Sequence, residues 1–93
     1  HEMADHNPDD LSTQMALASA YAQSGEYDAA LRTYRRALKK RTMSPAMLEV
    51  IADELSDIEA EAAHLPRFHQ VLGDLYMKQG RYKDAIDEYN KIG

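Results

Sequence analysis

The residue types that most often carry chemistry are scarce in this sequence of 93 residues. It has four histidines and no cysteine, which excludes a cysteine nucleophile, a thiolate metal site and a disulfide-based fold. His1 and His6 lie in a polar stretch, whereas His64 and His69 flank Pro66 at a spacing that places them on no common helix face. No serine lies in a nucleophile elbow and no glycine-rich loop could cradle a phosphate. The sequence therefore predicts no enzyme activity, no metal site and no cofactor.

Composition and charge exclude further classes of protein. The chain has 16 acidic and 11 basic side chains, and this balance argues against non-specific nucleic-acid binding, which needs a net basic surface. No apolar run approaches the roughly 20 residues of a membrane span, and no stretch has the layout of a signal peptide. The lack of cysteine is compatible with a reducing compartment. We expect a cytoplasmic protein that binds neither nucleic acid nor, in this segment, a membrane.

The elements that position these residues are helices. Apolar residues recur at three- and four-residue spacing and β-branched residues never cluster, which predicts an all-α fold. Pro8, Pro45 and Pro66 mark helix starts, and Gly25 and Gly80 mark helix ends. The predicted helices span about 8–24, 27–41, 45–63, 66–79 and 82–92. Because the turns are short, consecutive helices are expected to pack antiparallel.

The sequence divides into a tail and one helical domain. Residues 1–6 are polar and aperiodic, and we interpret them as a tail or the remnant of an expression tag. Residues 7–93 form the domain. In its fifth helix we expect five side chains to face inward, namely Tyr82, Ala85, Ile86, Tyr89 and Ile92.

One segment recurs 55 residues later without a gap. Residues 17–21 (LASAY) align with residues 72–76 (LGDLY), and each tyrosine is followed four residues later by a glycine. The recurrence continues in the following helix, where Tyr27, Ala30 and Tyr34 recur as Tyr82, Ala85 and Tyr89. So many matched positions at one offset indicate an internal repeat.

The repeated pattern resembles the tetratricopeptide repeat, a helix–turn–helix unit of 34 residues. The small residues Ala18 and Gly73 match the place where the paired helix approaches closely. The family's tryptophan is replaced by Gln14 and His69, and its closing proline after the first repeat by Thr42. The resemblance covers roughly residues 8–93, with full repeats at about 11–44 and 66–93. It implies a right-handed solenoid of five antiparallel helices.

The third predicted helix is half a repeat. The offset of 55 residues equals one 34-residue unit plus 21, and these 21 residues are roughly 44–64. Counted forward from the first repeat, Ile51, Ala52 and Leu55 occupy first-helix positions. Counted back from the last repeat, the apolar residues of this segment occupy second-helix positions. The sequence is compatible with both alignments.

The resemblance implies a concave face, lined by the first helix of each repeat, that holds a peptide or a helix of a partner protein. The implied groove residues are Ser12, Met15, Ser19, Ala22 and Gln23 in the first repeat, and Arg67, Gln70, Asp74, Met77 and Lys78 in the last. The family's clamp for a peptide carboxylate is absent, because Ser19 and Asp74 replace its asparagine. Met15 and Met77 suit either an adaptable apolar contact or the edge of the core.

Charge is sorted along the chain. The second helix carries the basic residues Arg32, Arg35, Arg36 and Lys39, followed by Lys40 and Arg41. The third helix carries six acidic residues and no basic one. This sorting predicts either a basic patch for an acidic partner or ion pairs between the two helices, each worth about 0.2–1 kcal/mol.

Two functions follow from these patterns. The first is a non-catalytic module that binds a protein or peptide partner, as a segment of a larger scaffold or adaptor protein. The second is self-assembly into a homo-oligomer, because two and a half repeats fall short of the roughly three, with polar caps, that solenoids usually need. We therefore expect apolar faces on the terminal helices, covered by further repeats or by a second copy.

Overall fold

The computed structural model describes residues 11–40 and 43–92, and most of this part of the chain is helical. The helices are α1 (Leu11–Gln23), α2 (Tyr27–Leu38), α3 (Pro45–Ala62), α4 (Pro66–Lys78) and α5 (Tyr82–Asn90). The described ranges contain no strand, and the predicted all-α, solenoid-like class is confirmed. Helices α2 and α5 end before the predicted residues 41 and 92. The predicted tail and the predicted helix start at residues 8–10 lie outside the described residues.

Local sequence explains where the helices begin and turn. At the start of α3, the Ser44 side chain accepts a hydrogen bond from the Met47 backbone N–H at 3.2 Å, and Pro45 occupies the first turn. Gly25 and Gly80 follow α1 and α4 with φ angles of 83° and 78°, in the left-handed region that glycine adopts without strain. These glycines allow α1–α2 and α4–α5 to form tight antiparallel pairs.

The substitution Gly80→Ala is expected to lower the free energy of unfolding by about 1 kcal/mol, because alanine is strained at this positive φ. No atom lies within 4 Å of a Cβ built at Gly80, so the cost comes from the backbone alone. Urea denaturation measures the loss. Gly80→Asn is the control and should lose less, since asparagine tolerates this region. Equal losses would contradict the backbone explanation.

Helices α2 and α4 run side by side in the same direction, although α3 separates them in the sequence. Near their N-termini, Arg67 Nε donates to Asp28 Oδ1 at 3.1 Å. Near their C-termini, Lys78 Nζ donates to the Lys40 carbonyl oxygen at 2.7 Å. The two contacts join residues 39 and 38 positions apart, so the register is nearly constant. Helices adjacent in the sequence are antiparallel as expected, whereas α2 and α4 are a parallel pair.

Helix α3 lies beside α1. Ser19 Oγ on α1 donates to both carboxylate oxygens of Glu54 on α3, at 2.8 and 3.0 Å. These residues are 35 positions apart, close to the 34-residue period, and both helices run opposite to α2. The structure thus favours the alignment of α3 as a first helix. Helix α4 packs against α3 through Phe68 and then forms the first helix of the α4–α5 pair.

The main core cluster is built by α1 to α4, and α5 adds only the buried Ala85 to the apolar core. Its largest fully buried side chains are Tyr34, Phe68, Leu31, Ile51, Leu55, Leu75, Gln14 and Val71. Of the five α5 side chains expected to face inward, Ala85 is buried and Tyr89 half-buried, whereas Tyr82, Ile86 and Ile92 are 59%, 55% and 39% exposed. The prediction was wrong for these three, because α5 packs mainly against one helix, α4. Leu17 on α1 is 40% exposed.

Candidate functional site

The parallel pairing of α2 and α4 brings together two sets of residues predicted separately. Arg35 and Lys39 of the basic patch lie beside Asp74, Met77 and Lys78 of the predicted groove. With Leu38 and Tyr89 they line a depression of about 380 Å³, the α2–α4–α5 depression. Its apolar floor and cationic rim follow from the register, since Arg35 and Lys39 lie beside the C-terminal end of α4.

The carboxylate of Asp74 accepts hydrogen bonds from two other helices at the depression. Arg35 Nε donates to Asp74 Oδ2 at 3.3 Å, and the Tyr89 hydroxyl donates to Asp74 Oδ1 at 2.5 Å. Burial and the hydrogen bond to Asp74 raise the pKa of Tyr89 to about 12, so its hydroxyl keeps its proton at neutral pH. Asp74 links α2, α4 and α5.

The rim of the depression has a net positive charge. Arg35, Lys39 and Lys78 surround the single carboxylate of Asp74, and Asp74 is already paired with Arg35. Lys78 donates to a carbonyl at the C-terminus of α2, where a cation is favoured by the helix dipole. Lys39 is exposed, and the described residues offer it no ion pair. The depression can therefore bind a ligand that has both a carboxylate and an apolar group. The carboxylate would pair with the rim cations, and the apolar group would pack on Met77, which is 45% exposed.

The first-repeat part of the predicted groove lies elsewhere. Ser19, Ala22 and Gln23 line a separate depression of about 240 Å³ with Tyr34, Glu54, Asp57 and Ile58, the α1–α3 depression. Ser12 is exposed, whereas Met15 is 8% exposed and belongs to the core. The two depressions share no lining residue. The structure does not bring the two halves of the predicted groove together, because α1 packs on α2, whereas α4 packs on α2, α3 and α5.

Two further residues of the predicted groove, Arg67 and Gln70, lie on α4 away from the depression. Arg67 pairs with Asp28, and Gln70 is half-buried. Both lie towards the N-terminal end of α4, away from the depression that Met77 and Lys78 line at the other end.

The predicted basic patch is divided between two faces of α2. Arg32 and Arg36 line a shallow depression with Leu17 and Tyr21 of α1, and Arg32 lies 3.7 Å from Asp28 in its own helix. Arg35 and Lys39 face α4 instead. Helical geometry accounts for the division, since residues three and four apart share a face and adjacent residues do not.

The expected ion pairs between α2 and α3 do not form in the described part of the chain. Arg32 pairs with Asp28 in its own helix, and Arg35 pairs with Asp74 on α4. On α3, Glu54 accepts hydrogen bonds from the hydroxyls of Ser19 and Tyr34. Helix α2 packs more extensively on α4 than on α3, so Arg35 meets Asp74, the one carboxylate of α4.

The sequence did not indicate two features of the site. The pairing of Arg35 with Asp74 depends on the parallel register of α2 and α4, for which the repeat gives no pattern. The sequence predicts only that Tyr89 faces inward, whereas in the structure it lines the depression. The residue type gives a partial signal. A tyrosine at this repeat position, as at Tyr34, carries a hydroxyl that needs a hydrogen-bond partner when it is buried.

A second polar cluster joins α4 and α5. Glu88, which is 8% exposed, lies 3.0 Å from His69 Nδ1 and accepts a hydrogen bond from Lys91 Nζ at 2.9 Å. Burial acts to raise the pKa of Glu88, but the hydrogen bonds with His69 and Lys91 outweigh it and hold this pKa below its usual value. The charged carboxylate therefore stabilises the α4–α5 pair.

This lowered pKa predicts how stability depends on pH. The stabilisation from Glu88 is complete above the unfolded-state pKa of about 4.5, and it is lost as the pH falls through the lower folded-state pKa. Thermal unfolding of the wild type and Glu88→Gln at a series of pH values measures it. The variant should be less stable at pH 7, and the difference should shrink below about pH 4.5.

Asp87→Asn is the control for this titration, because Asp87 is exposed on the same helix and makes no hydrogen bond or ion pair in the described part of the chain. It should leave the pH profile of the wild type nearly unchanged. A gap between wild type and Glu88→Gln that stays constant from pH 7 to pH 3 would contradict the assignment.

The described residues contain neither a candidate membrane span nor a cluster of metal ligands. No helix in residues 11–40 and 43–92 is long and apolar enough to cross a bilayer. Over the same ranges, no three histidine or carboxylate side chains converge to hold a metal ion.

Comparison with known proteins identifies the repeat. Two family models, both described as tetratricopeptide repeat, match residues 11–53 and 66–92. The first match continues through α2 into α3, which agrees with the position of α3 beside α1. No curated protein and no solved structure matches the chain.

Proposed function

The chain belongs to the tetratricopeptide repeat family, whose repeats generally mediate protein–protein interaction, and we propose that it is a non-catalytic module that binds a segment of another protein. The binding surface is the α2–α4–α5 depression. The module serves as one part of a larger scaffold or adaptor protein. We also propose a cytoplasmic location, where a chain without cysteine is unaffected by reducing conditions.

The observation that carries this proposal is the convergence of Arg35, Lys39 and Lys78 around the apolar surface of Met77. A buried apolar contact supplies affinity, and the surrounding cations select a partner of opposite charge. The matching segment carries a carboxylate close to an apolar side chain.

The same site supports a non-catalytic role. Asp74 is held by Arg35 and Tyr89, and the pKa of Tyr89 is raised to about 12. General acid–base catalysis works best when the pKa of the group lies near the working pH. The tyrosine does not meet this condition, and the carboxylate already has both oxygens engaged.

A displayed library of random peptides tests the proposal. Selection on the wild-type chain, followed by counter-selection on the variant Lys39→Gln/Lys78→Gln, should enrich peptides with acidic and apolar residues. Those peptides should bind the variant about tenfold more weakly. Lys83→Gln is the matched control, because Lys83 is exposed on α5 outside the depression. Enriched peptides that bind both chains equally would show that the depression is not the binding surface.

The outer face of α5 supports a second candidate function, self-association through a terminal helix. Tyr82 and Ile86 are one helical turn apart and are 59% and 55% exposed, so they form an apolar strip that a second copy could cover. Such a contact should resist salt, since apolar burial does not weaken as ions are added. Sedimentation velocity on Ile86→Glu tests it. An association that Ile86→Glu leaves intact would exclude this face.

A further inference from the structure

Opposite charges on α2 and α3 are kept apart within one copy of the chain. In the described residues, no ion pair joins the basic residues of α2 to the acidic residues of α3. Lys39 lies on the rim of the α2–α4–α5 depression, whereas Asp53 and Asp57 are exposed on α3. Each copy therefore carries one cationic and one acidic surface.

The solvent face of α3 has the carboxylates and the apolar side chain that would complement the cations and the Met77 surface of the depression. Helix α3 has no lysine or arginine. Val50, Asp53 and Asp57 follow a spacing of three and four residues, which places them on one side of the helix. Val50 is 40% exposed, and both aspartates are exposed, with Asp57 at the edge of the α1–α3 depression. The face combines one apolar side chain with two carboxylates on a rigid helix.

We propose that the solvent face of α3 from a second copy of this chain occupies the α2–α4–α5 depression. This inference rests on the proposed function, because it names an occupant for the same surface. Val50 of one copy contacts Met77 of the other, and the aspartates face Lys39 and Lys78. Charge complementarity across the contact and apolar surface at its centre are the arrangement that specific interfaces use.

The contact is heterologous, since the depression and the α3 face are different surfaces of one copy. Such a contact continues from copy to copy and gives rings or open chains rather than a closed two-fold dimer. A partner segment in the depression competes with α3. Partner binding would therefore disperse the assembly.

Two neutralised variants test the contact by sedimentation velocity on the full chain at low salt. Lys39→Gln/Lys78→Gln weakens the depression, and Asp53→Asn/Asp57→Asn weakens the α3 face. The wild type should form species larger than a monomer as its concentration rises, and this association should fall as salt is added. Each variant alone should associate about tenfold more weakly.

A mixture of the two variants separates this contact from a symmetric one. One intact depression and one intact α3 face remain in the mixture, so it should form a one-to-one heterodimer and no larger species. Lys83→Gln and Glu59→Gln are the controls, because both residues are exposed and lie outside the contact. Both should associate like the wild type.

Three results would overturn the proposal. The first is a wild type that stays monomeric at every concentration at low salt. The second is an association that neither neutralised variant weakens, and the third is an association that Ile86→Glu alone abolishes. The peptide selection is independent of these results. Acidic peptides that depend on Lys39 and Lys78, together with a strictly monomeric wild type, would refute this inference and leave the proposed function in place. Self-association of the wild type without any selected peptide would support the contact between copies and refute the binding of a separate partner segment.

Discussion

Replacing Phe68 by alanine is expected to lower the free energy of unfolding by about 3–5 kcal/mol, the usual loss when a buried phenylalanine is removed from a core. Phe68 is 2% exposed and belongs to the core cluster of α1 to α4, where it lies near Leu55 of α3 and Leu75 of α4. A domain of this length is stable by about 5–14 kcal/mol. The variant should therefore lose a large part of its stability, measured by urea denaturation with circular dichroism.

Phe68→Leu is the matched control for this substitution, because leucine keeps the site apolar and fills most of the volume. It should lose much less than Phe68→Ala. Ser56→Ala on the exposed side of α3 should change stability by less than about 0.5 kcal/mol. A loss below about 1 kcal/mol for Phe68→Ala would mean that α4 does not pack on α3 as described.

Tyr34→Ala is expected to cost a similar 3–5 kcal/mol. The side chain of Tyr34 is fully buried, and its hydroxyl donates a hydrogen bond to Glu54 on α3. Burial and the bond to Glu54 raise the pKa of Tyr34 above its usual value. The substitution removes core volume and also one of the two hydroxyl donors of Glu54, the other being Ser19. The free energy of unfolding in urea measures both effects together.

Two variants separate these effects. Tyr34→Phe keeps the ring and should lose only about 1.5–3 kcal/mol, the contribution of a hydrogen bond to a charged group. Tyr89→Ala, at the repeat-equivalent position, should lose less than Tyr34→Ala, because Tyr89 is half-buried. Equal losses at the two tyrosines would show that α3 adds nothing to the environment of Tyr34.

The sequence contained enough information for the family, the fold class and the helices. Gly25 and Gly80 recur at the repeat offset, and both adopt the positive φ that only a turn glycine takes without strain. Ala30 and Ala85 recur with them and are both fully buried. These features are local, because each depends on residues within one helix pair. Helix periodicity and turn chemistry within each pair are therefore enough to predict them.

The tertiary structure decided which surfaces these helices share. Tyr34 and Tyr89 are equivalent in the repeat, yet Tyr34 donates to Glu54 of α3 whereas Tyr89 donates to Asp74 of its own helix pair. Similarly, Arg35 meets Asp74 only because α2 and α4 lie parallel. The repeat pattern specifies a tyrosine and a basic helix, but their partners come from segments far along the chain. The packing of α3 helps to determine those partners, because α3 contacts both α2 and α4 and supplies Glu54 to Tyr34.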